Sequence, residues 1–203
     1  MKDPIEFHFD FISPFGYFAS LRIEGIAARH GRTVDWRPML LGISVIKVMG
    51  LRPVMETPLK SDYLARDVFR YARKHGVTFE RPMHGRVDSS VTAGRALCWV
   101  KRHHPDLMAD MGARLYDAFW RRGCALATPQ EVLDRAELPL GVDPARFLEG
   151  MTSGEASDLL RASVDASIAA GVFGSPTVIV DGEPFWGADR LEEVEAWLQT
   201  GGW

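Results

Sequence analysis

At the start of the chain Ile5, Phe7, Phe9 and Phe11 alternate with Glu6, His8 and Asp10, an apolar–polar period of two that predicts a strand. The period then changes. Across residues 14–29 the apolar side chains Phe15, Phe18, Leu21, Ile26 and Ala27 suit a helix, and Gly31 follows as its expected C-cap. Residues 33–37 return to a strand pattern. The amino end therefore reads as strand–helix–strand, which favours a parallel pair.

From about residue 43 to 170 no clear strand is predicted. Helical patterns occur at 59–75, 89–104, 106–122, 129–137, 144–150 and 152–170, and in the third of these Leu107, Met111, Leu115 and Phe119 recur every fourth residue. Pro82, Pro105, Pro129, Pro139 and Pro144 mark the joints. Strands resume after Gly171. Residues 177–180 form a β-branched run, Asp181-Gly182 is a two-residue hairpin signal, and 183–186 would return antiparallel. Asp189 then suits the N-cap of a last helix over 190–198. The expected architecture is α/β: one mixed sheet built from residues 1–42 and 171–203, with residues 43–170 inserted as an all-helical domain. A cleft between the two would be lined by both terminal segments.

A length of 203 residues permits a sizeable core, and 46% hydrophobic with 25% charged residues is ordinary for a globular protein. The net charge of −3 gives no reason to expect nucleic acid or an anionic membrane surface as partner. No apolar run is long enough to span a bilayer, and no secretory signal precedes the first strand, so a cytoplasmic location is expected. Cys98 and Cys124 form no Cys-X-X-Cys pair and are expected to be reduced and structural. No metal site is expected: adjacent His103 and His104 would point apart on a helix. Gly-rich phosphate loops and the Gly-X-Ser-X-Gly elbow are also missing. Trp36, Trp99, Trp120, Trp186 and Trp197 are expected in the core, and Asp35, Asp62 and Asp67 on solvated faces or caps.

Two segments remain as candidate chemistry. Ser13-Pro14 stands where the first strand runs into its helix, and Ser175-Pro176 stands just before the third strand. Serine before proline at a helix start is commonly an N-cap with proline at the first helical position. A hydroxyl there also has the means to hydrogen-bond a bound thiolate, helped by the helix N-terminus. Lowering a thiol pKa by two units from about 8.5 needs about 2.7 kcal/mol. Ser175-Pro176 is either an ordinary turn or a cis bond that leaves the Ser175 backbone free to pair with an extended, peptide-like ligand. Lys60, a cation at a helix start, suits an anion-binding role as well as a plain surface position, and Asp189 suits either a cap or an amino-group ligand. A dithiol enzyme would carry cysteines where this chain has Ser13 and Gly16.

Residues 9–17 (FDFISPFGY), 58–63 (PLKSDY), 172–176 (VFGSP) and 185–191 (FWGADRL) together give the chain its resemblance to a known family. It resembles the 2-hydroxychromene-2-carboxylate isomerases, relatives of kappa-class glutathione transferases and of DsbA-like proteins, over nearly its whole length. The resemblance implies a thioredoxin-like domain interrupted by a helical one, a homodimer, and glutathione as cofactor. It implies that Ser13 holds the glutathione thiolate, with Pro14 and Phe15 beside it. Ser175 next to a cis Pro176 would pair with the cysteinyl part, Ala188 and Asp189 would hold the γ-glutamyl end, and Lys60 would meet an anionic group. In such isomerases the thiolate adds to the aromatic substrate, the ring opens, a bond rotates and the thiol leaves, so glutathione is recycled. The family often has asparagine where Gly50-Leu51-Arg52-Pro53 has Leu51, and Arg52 becomes the candidate substrate ligand. Two other functions fit the same motifs: conjugation or peroxide reduction in the manner of a kappa transferase, and non-catalytic binding by a thioredoxin-like module.

Overall fold

The computed structural model describes residues 3–84 and 88–203. Both ends of the chain enter one sheet. Its strands are β1 (Ile5–Phe9), β2 (Val34–Pro38), β3 (Thr177–Val180) and β4 (Glu183–Trp186), in the spatial order β2-β1-β3-β4. The first two are parallel, with Phe7 opposite Trp36, as a strand–helix–strand unit requires. Strand β3 runs antiparallel to β1, with Phe7 opposite Val178, and turns back into β4. That turn is Asp181-Gly182, both at positive φ (52° and 90°), the backbone of a tight primed hairpin. Arg32 clamps it through paired contacts to the Asp181 carboxylate.

The helical pattern over 14–29 is divided in two, α1 (Pro14–Ser20) and α2 (Ile23–Arg29). The Ser20 hydroxyl donates to the Tyr17 carbonyl and the Arg22 amide reaches only to Ala19, which tightens and ends the first helix. The intervening helices are α3 (Lys60–His75), α4 (Val91–His103), α5 (Met108–Tyr116), α6 (Pro129–Arg135), α7 (Pro144–Thr152) and α8 (Gly154–Ala169), and α9 (Leu191–Thr200) closes the chain. The pattern over 106–122 proves to be three pieces: a 3₁₀ turn at Pro105–Leu107, α5, and a π turn at Asp117–Arg121. A further π turn at Gly42–Val48 and a 3₁₀ turn at Val54–Glu56 fill the stretch for which the sequence suggests no element. No helix among the described residues is long and apolar enough to cross a membrane.

Phe7 and Phe9 stack on one another and present their edges to the Trp36 ring, whose indole N–H donates to Glu24. Each such side chain taken out of water contributes about 1.5–3 kcal/mol. The sheet and the inserted helices share this core, which runs on through Leu97, Met111, Leu115 and Phe147. Of the polar alternates in this segment, Glu6 is half-buried while His8 and Asp10 are buried. His8 lies under α8, where Ser167 meets its ring at 2.9 Å and Ser163 donates to the Pro38 carbonyl. Asp35 is likewise half-buried and not on a solvated face. Burial pushes its carboxyl up, but the Lys101 ammonium and the Arg37 guanidinium together outweigh burial and hold it below the ordinary value.

A cleft of about 460 Å³ lies not beside Ser13 but at the opposite end of β1, lined by Glu6, Asp35, Arg37, Ile179 and Gly182 among others. Gly112 of α5 sits flat against Trp36, where an added Cβ would come within 2.7 Å of the ring. Gly112→Ala is therefore expected to cost about 1–3 kcal/mol through overpacking. Chemical denaturation checks this, and an unchanged midpoint would show that Trp36 yields freely.

Candidate active site

Strand β1 ends in the core and its chain turns at Asp10–Ser13, with the Ser13 amide donating to the Asp10 carbonyl at 2.9 Å. This turn sets Ser13 as the N-cap of α1, and Pro14 takes the first helical position. The Ser13 hydroxyl oxygen accepts from the Gly16 amide at 3.1 Å, and the hydroxyl donates to the Ser175 carbonyl at 2.9 Å. Capping and contact with the distant loop are thus made by one group. The Ser175–Pro176 bond is cis, and the Ser175 hydroxyl in turn accepts the Asp10 amide at 2.9 Å. Residues 162 apart in sequence meet through these bonds.

Gly16 is held closely. A Cβ there would lie 2.5 Å from the Tyr116 hydroxyl and 3.0 Å from that of Ser175. The Tyr116 hydroxyl donates to the Asp10 carbonyl at 3.1 Å, and the Trp120 indole N–H donates to that of Phe11 at 2.9 Å. The space for a second thiol is therefore filled by two hydroxyls. Cys98 and Cys124 are free, and burial pushes the Cys98 thiol up to about 12, far from a reactive thiolate.

The other sequence candidates separate into two groups. Phe15 packs edge-on to Tyr71, whose hydroxyl donates to the Ala188 carbonyl at 3.1 Å. Ala188 is buried, and Gly187 beside it donates to the Pro176 carbonyl at 3.0 Å, so the 188–189 turn adjoins the Ser175 loop. Asp189 does not cap the last helix. It lies in a 3₁₀ turn, Ala188–Arg190, with an exposed carboxylate near Arg190, and α9 starts directly after that turn, at Leu191, without a side-chain cap. Lys60 begins α3 as expected, after Leu59, which is 88% exposed and at φ 68°. It precedes Tyr71 by eleven positions on the helix, roughly 16 Å of rise. Arg52 is exposed in the stretch after Gly50. Among the described residues no hydrogen bond or ion pair joins Lys60 or Arg52 to Ser13 or Ser175.

Trp186 is not a core residue. It is 55% exposed at the end of edge strand β4, with its indole against Gly174 and edge-on to Phe173 at 4.8 Å. Sequence reading missed Asp10, Tyr71 and Tyr116. Only Asp10, a carboxylate three residues before Ser13, carried a local signal.

A Ser–Pro helix start facing a cis-proline loop on a mixed sheet is a thioredoxin-like arrangement with Ser13 and Gly16 in place of a cysteine pair. The chain belongs to the family of the DsbA-like thioredoxin domain, whose model matches residues 4–199. It is similar to 2-hydroxychromene-2-carboxylate isomerase of Sphingobium xenophagum, at 28% identity over 98% of this chain and 99% of that protein. Glutathione S-transferase kappa 2 of Caenorhabditis elegans is 26% identical, over 96% of this chain and 91% of that one. Among solved structures, a 2-hydroxychromene-2-carboxylate isomerase superposes with a TM-score of 0.80 at 26% identity, covering 96% of this chain and 94% of the other.

The filled space at Gly16 makes a redox prediction. The double variant Ser13→Cys, Gly16→Cys is expected to resist closing a 13–16 disulfide in the folded chain, because the second Cβ displaces Tyr116. Mass spectrometry after mild oxidation decides it, and quantitative closure without loss of stability would contradict it.

Proposed function

We propose that this protein is a glutathione-dependent isomerase of 2-hydroxychromene-2-carboxylate or a related ring-opened aromatic acid. One observation carries the reading: the Ser13 hydroxyl is aimed at a backbone carbonyl of the cis-proline loop, in a turn with no second thiol. The residues fit glutathione. Ser13 would turn its O–H from the Ser175 carbonyl to the sulfur, exchanging a neutral acceptor for a charged one. The Ser175 carbonyl, so released, would accept the cysteinyl N–H. Pro14 and Phe15 would flank the thiol, and Ala188 with the exposed Asp189 would meet the γ-glutamyl amine. Lys60 would take an anionic group, and Arg52 the substrate carboxylate. Bound in this way, glutathione supplies a thiolate nucleophile.

Helix α1 is seven residues long, so its end contributes at the low side of about 0.3–1 kcal/mol. The Ser13 hydrogen bond, at about 1.5–3 kcal/mol to a charged partner, must supply most of the remainder. We propose further that the protein acts as a cytoplasmic homodimer. Kappa-type conjugation is the second reading, favoured by the similarity to a kappa transferase and by Leu51.

Calorimetric titration with glutathione, followed by ultraviolet absorbance of the thiolate against pH, tests the proposal. The bound thiol is expected to titrate well below its usual value of about 8.5, and turnover of the chromene to rise with pH up to that point and then level. Ser13→Ala should move the rising limb to higher pH and lower turnover about ten- to a hundredfold at saturating glutathione. Absence of binding at millimolar glutathione would refute the reading. Turnover of a generic electrophile with none of the chromene would replace it by the transferase.

A further inference from the structure

Asp10 is the residue on which the candidate site converges, and neither the proposed thiol contacts nor the proposed substrate contacts use it. Its side chain is wholly buried. One carboxylate oxygen accepts the Ile12 amide at 3.2 Å, inside the turn that sets Ser13. The other accepts the Leu41 amide at 2.7 Å, and the Ser90 hydroxyl at the start of α4 is a third donor. Its own amide donates to Ser175 and its carbonyl accepts from Ser13 and Tyr116. Leu41 opens the π turn Gly42–Val48, which leads to Arg52. Along this segment Ile46, Val48, Met49 and Leu51 are exposed, an apolar surface suited to an aromatic acceptor.

We infer that Asp10 is a positioning residue, whose carboxylate ties the Ser13 turn to the segment that begins at Leu41 and so holds the thiol end and the acceptor end of the site as one unit. The inference rests on the proposed function for its kinetic consequences, and on hydrogen bonds alone for the coupling itself. The residue type is demanded by its partners. Two N–H groups from different segments each need an acceptor, and a carboxylate offers two oxygens where an amide offers one. Asparagine, of nearly the same shape, must leave either Ile12 or Leu41 facing its NH₂ group.

The experiment compares the full chain with Asp10→Asn and with Leu41→Pro, which removes the same bond from its other side at a φ of −57° that proline accepts. In Asp10→Asn, hydrogen exchange at the Leu41 or Ile12 amide should accelerate about tenfold or more. KM for 2-hydroxychromene-2-carboxylate should rise about tenfold while the glutathione Kd stays within about threefold, since the backbone bonds to Ser13 and Ser175 persist. In the Leu41→Pro background, Asp10→Asn should add little to KM. Unchanged exchange at both amides overturns the inference. So does a loss of kcat and glutathione affinity in step with the folded fraction, which marks a merely structural role. If the wild-type chain neither binds glutathione nor turns over the chromene, the functional reading fails, and amide exchange still decides the coupling.

Discussion

The antiparallel pairing of β1 with β3 is the constraint from which the site follows. It joins two segments separated by more than half the chain, and it does so at Glu6, Phe7 and His8, a few residues before the turn at Asp10–Ser13. Both faces of β1 are covered, by the Phe7–Phe9–Trp36 stack on one side and by α8 on the other, so neither strand can shift its register without exposing core. With that register set, the end of β1 and the start of β3 emerge side by side, and the Ser13 hydroxyl reaches the Ser175 carbonyl.

Within the site, one hydroxyl serves two ends. As an N-cap acceptor Ser13 satisfies the Gly16 amide, and as a donor it closes onto the cis-proline loop. The geometry shows why a capping reading and a thiol-binding reading of this serine do not compete: capping uses a lone pair and thiolate binding would use the proton. Tyr116 and Ser175 meanwhile occupy the space that a side chain at position 16 would need. This arrangement leaves no room for a protein dithiol between positions 13 and 16.

Where local pattern and structure part, a competing interaction explains the difference. The 14–29 helix breaks because the Ser20 hydroxyl takes the Tyr17 carbonyl. Asp189 has the composition of a cap but falls in a 3₁₀ turn pinned by Tyr71 at Ala188, so α9 begins beyond it. Asp35 reads as a surface carboxylate until Lys101, on α4, arrives beside it. Trp186 reads as core by its size alone, yet it ends an edge strand more than half exposed, with Gly174 and Phe173 against it.

By itself the sequence determined the α/β elements, the hairpin at Asp181-Gly182, and the two Ser–Pro segments that form the candidate site. These are properties of near neighbours: side-chain period, a glycine free to take positive φ, a proline at a helix start. The tertiary structure alone decided that Ser13 and Ser175 touch, that Pro176 is cis, and that Asp10, Tyr71 and Tyr116 belong to the same neighbourhood. Their partners lie as far as 165 residues away, and no local period encodes a contact that exists only once two faces of a sheet have been covered.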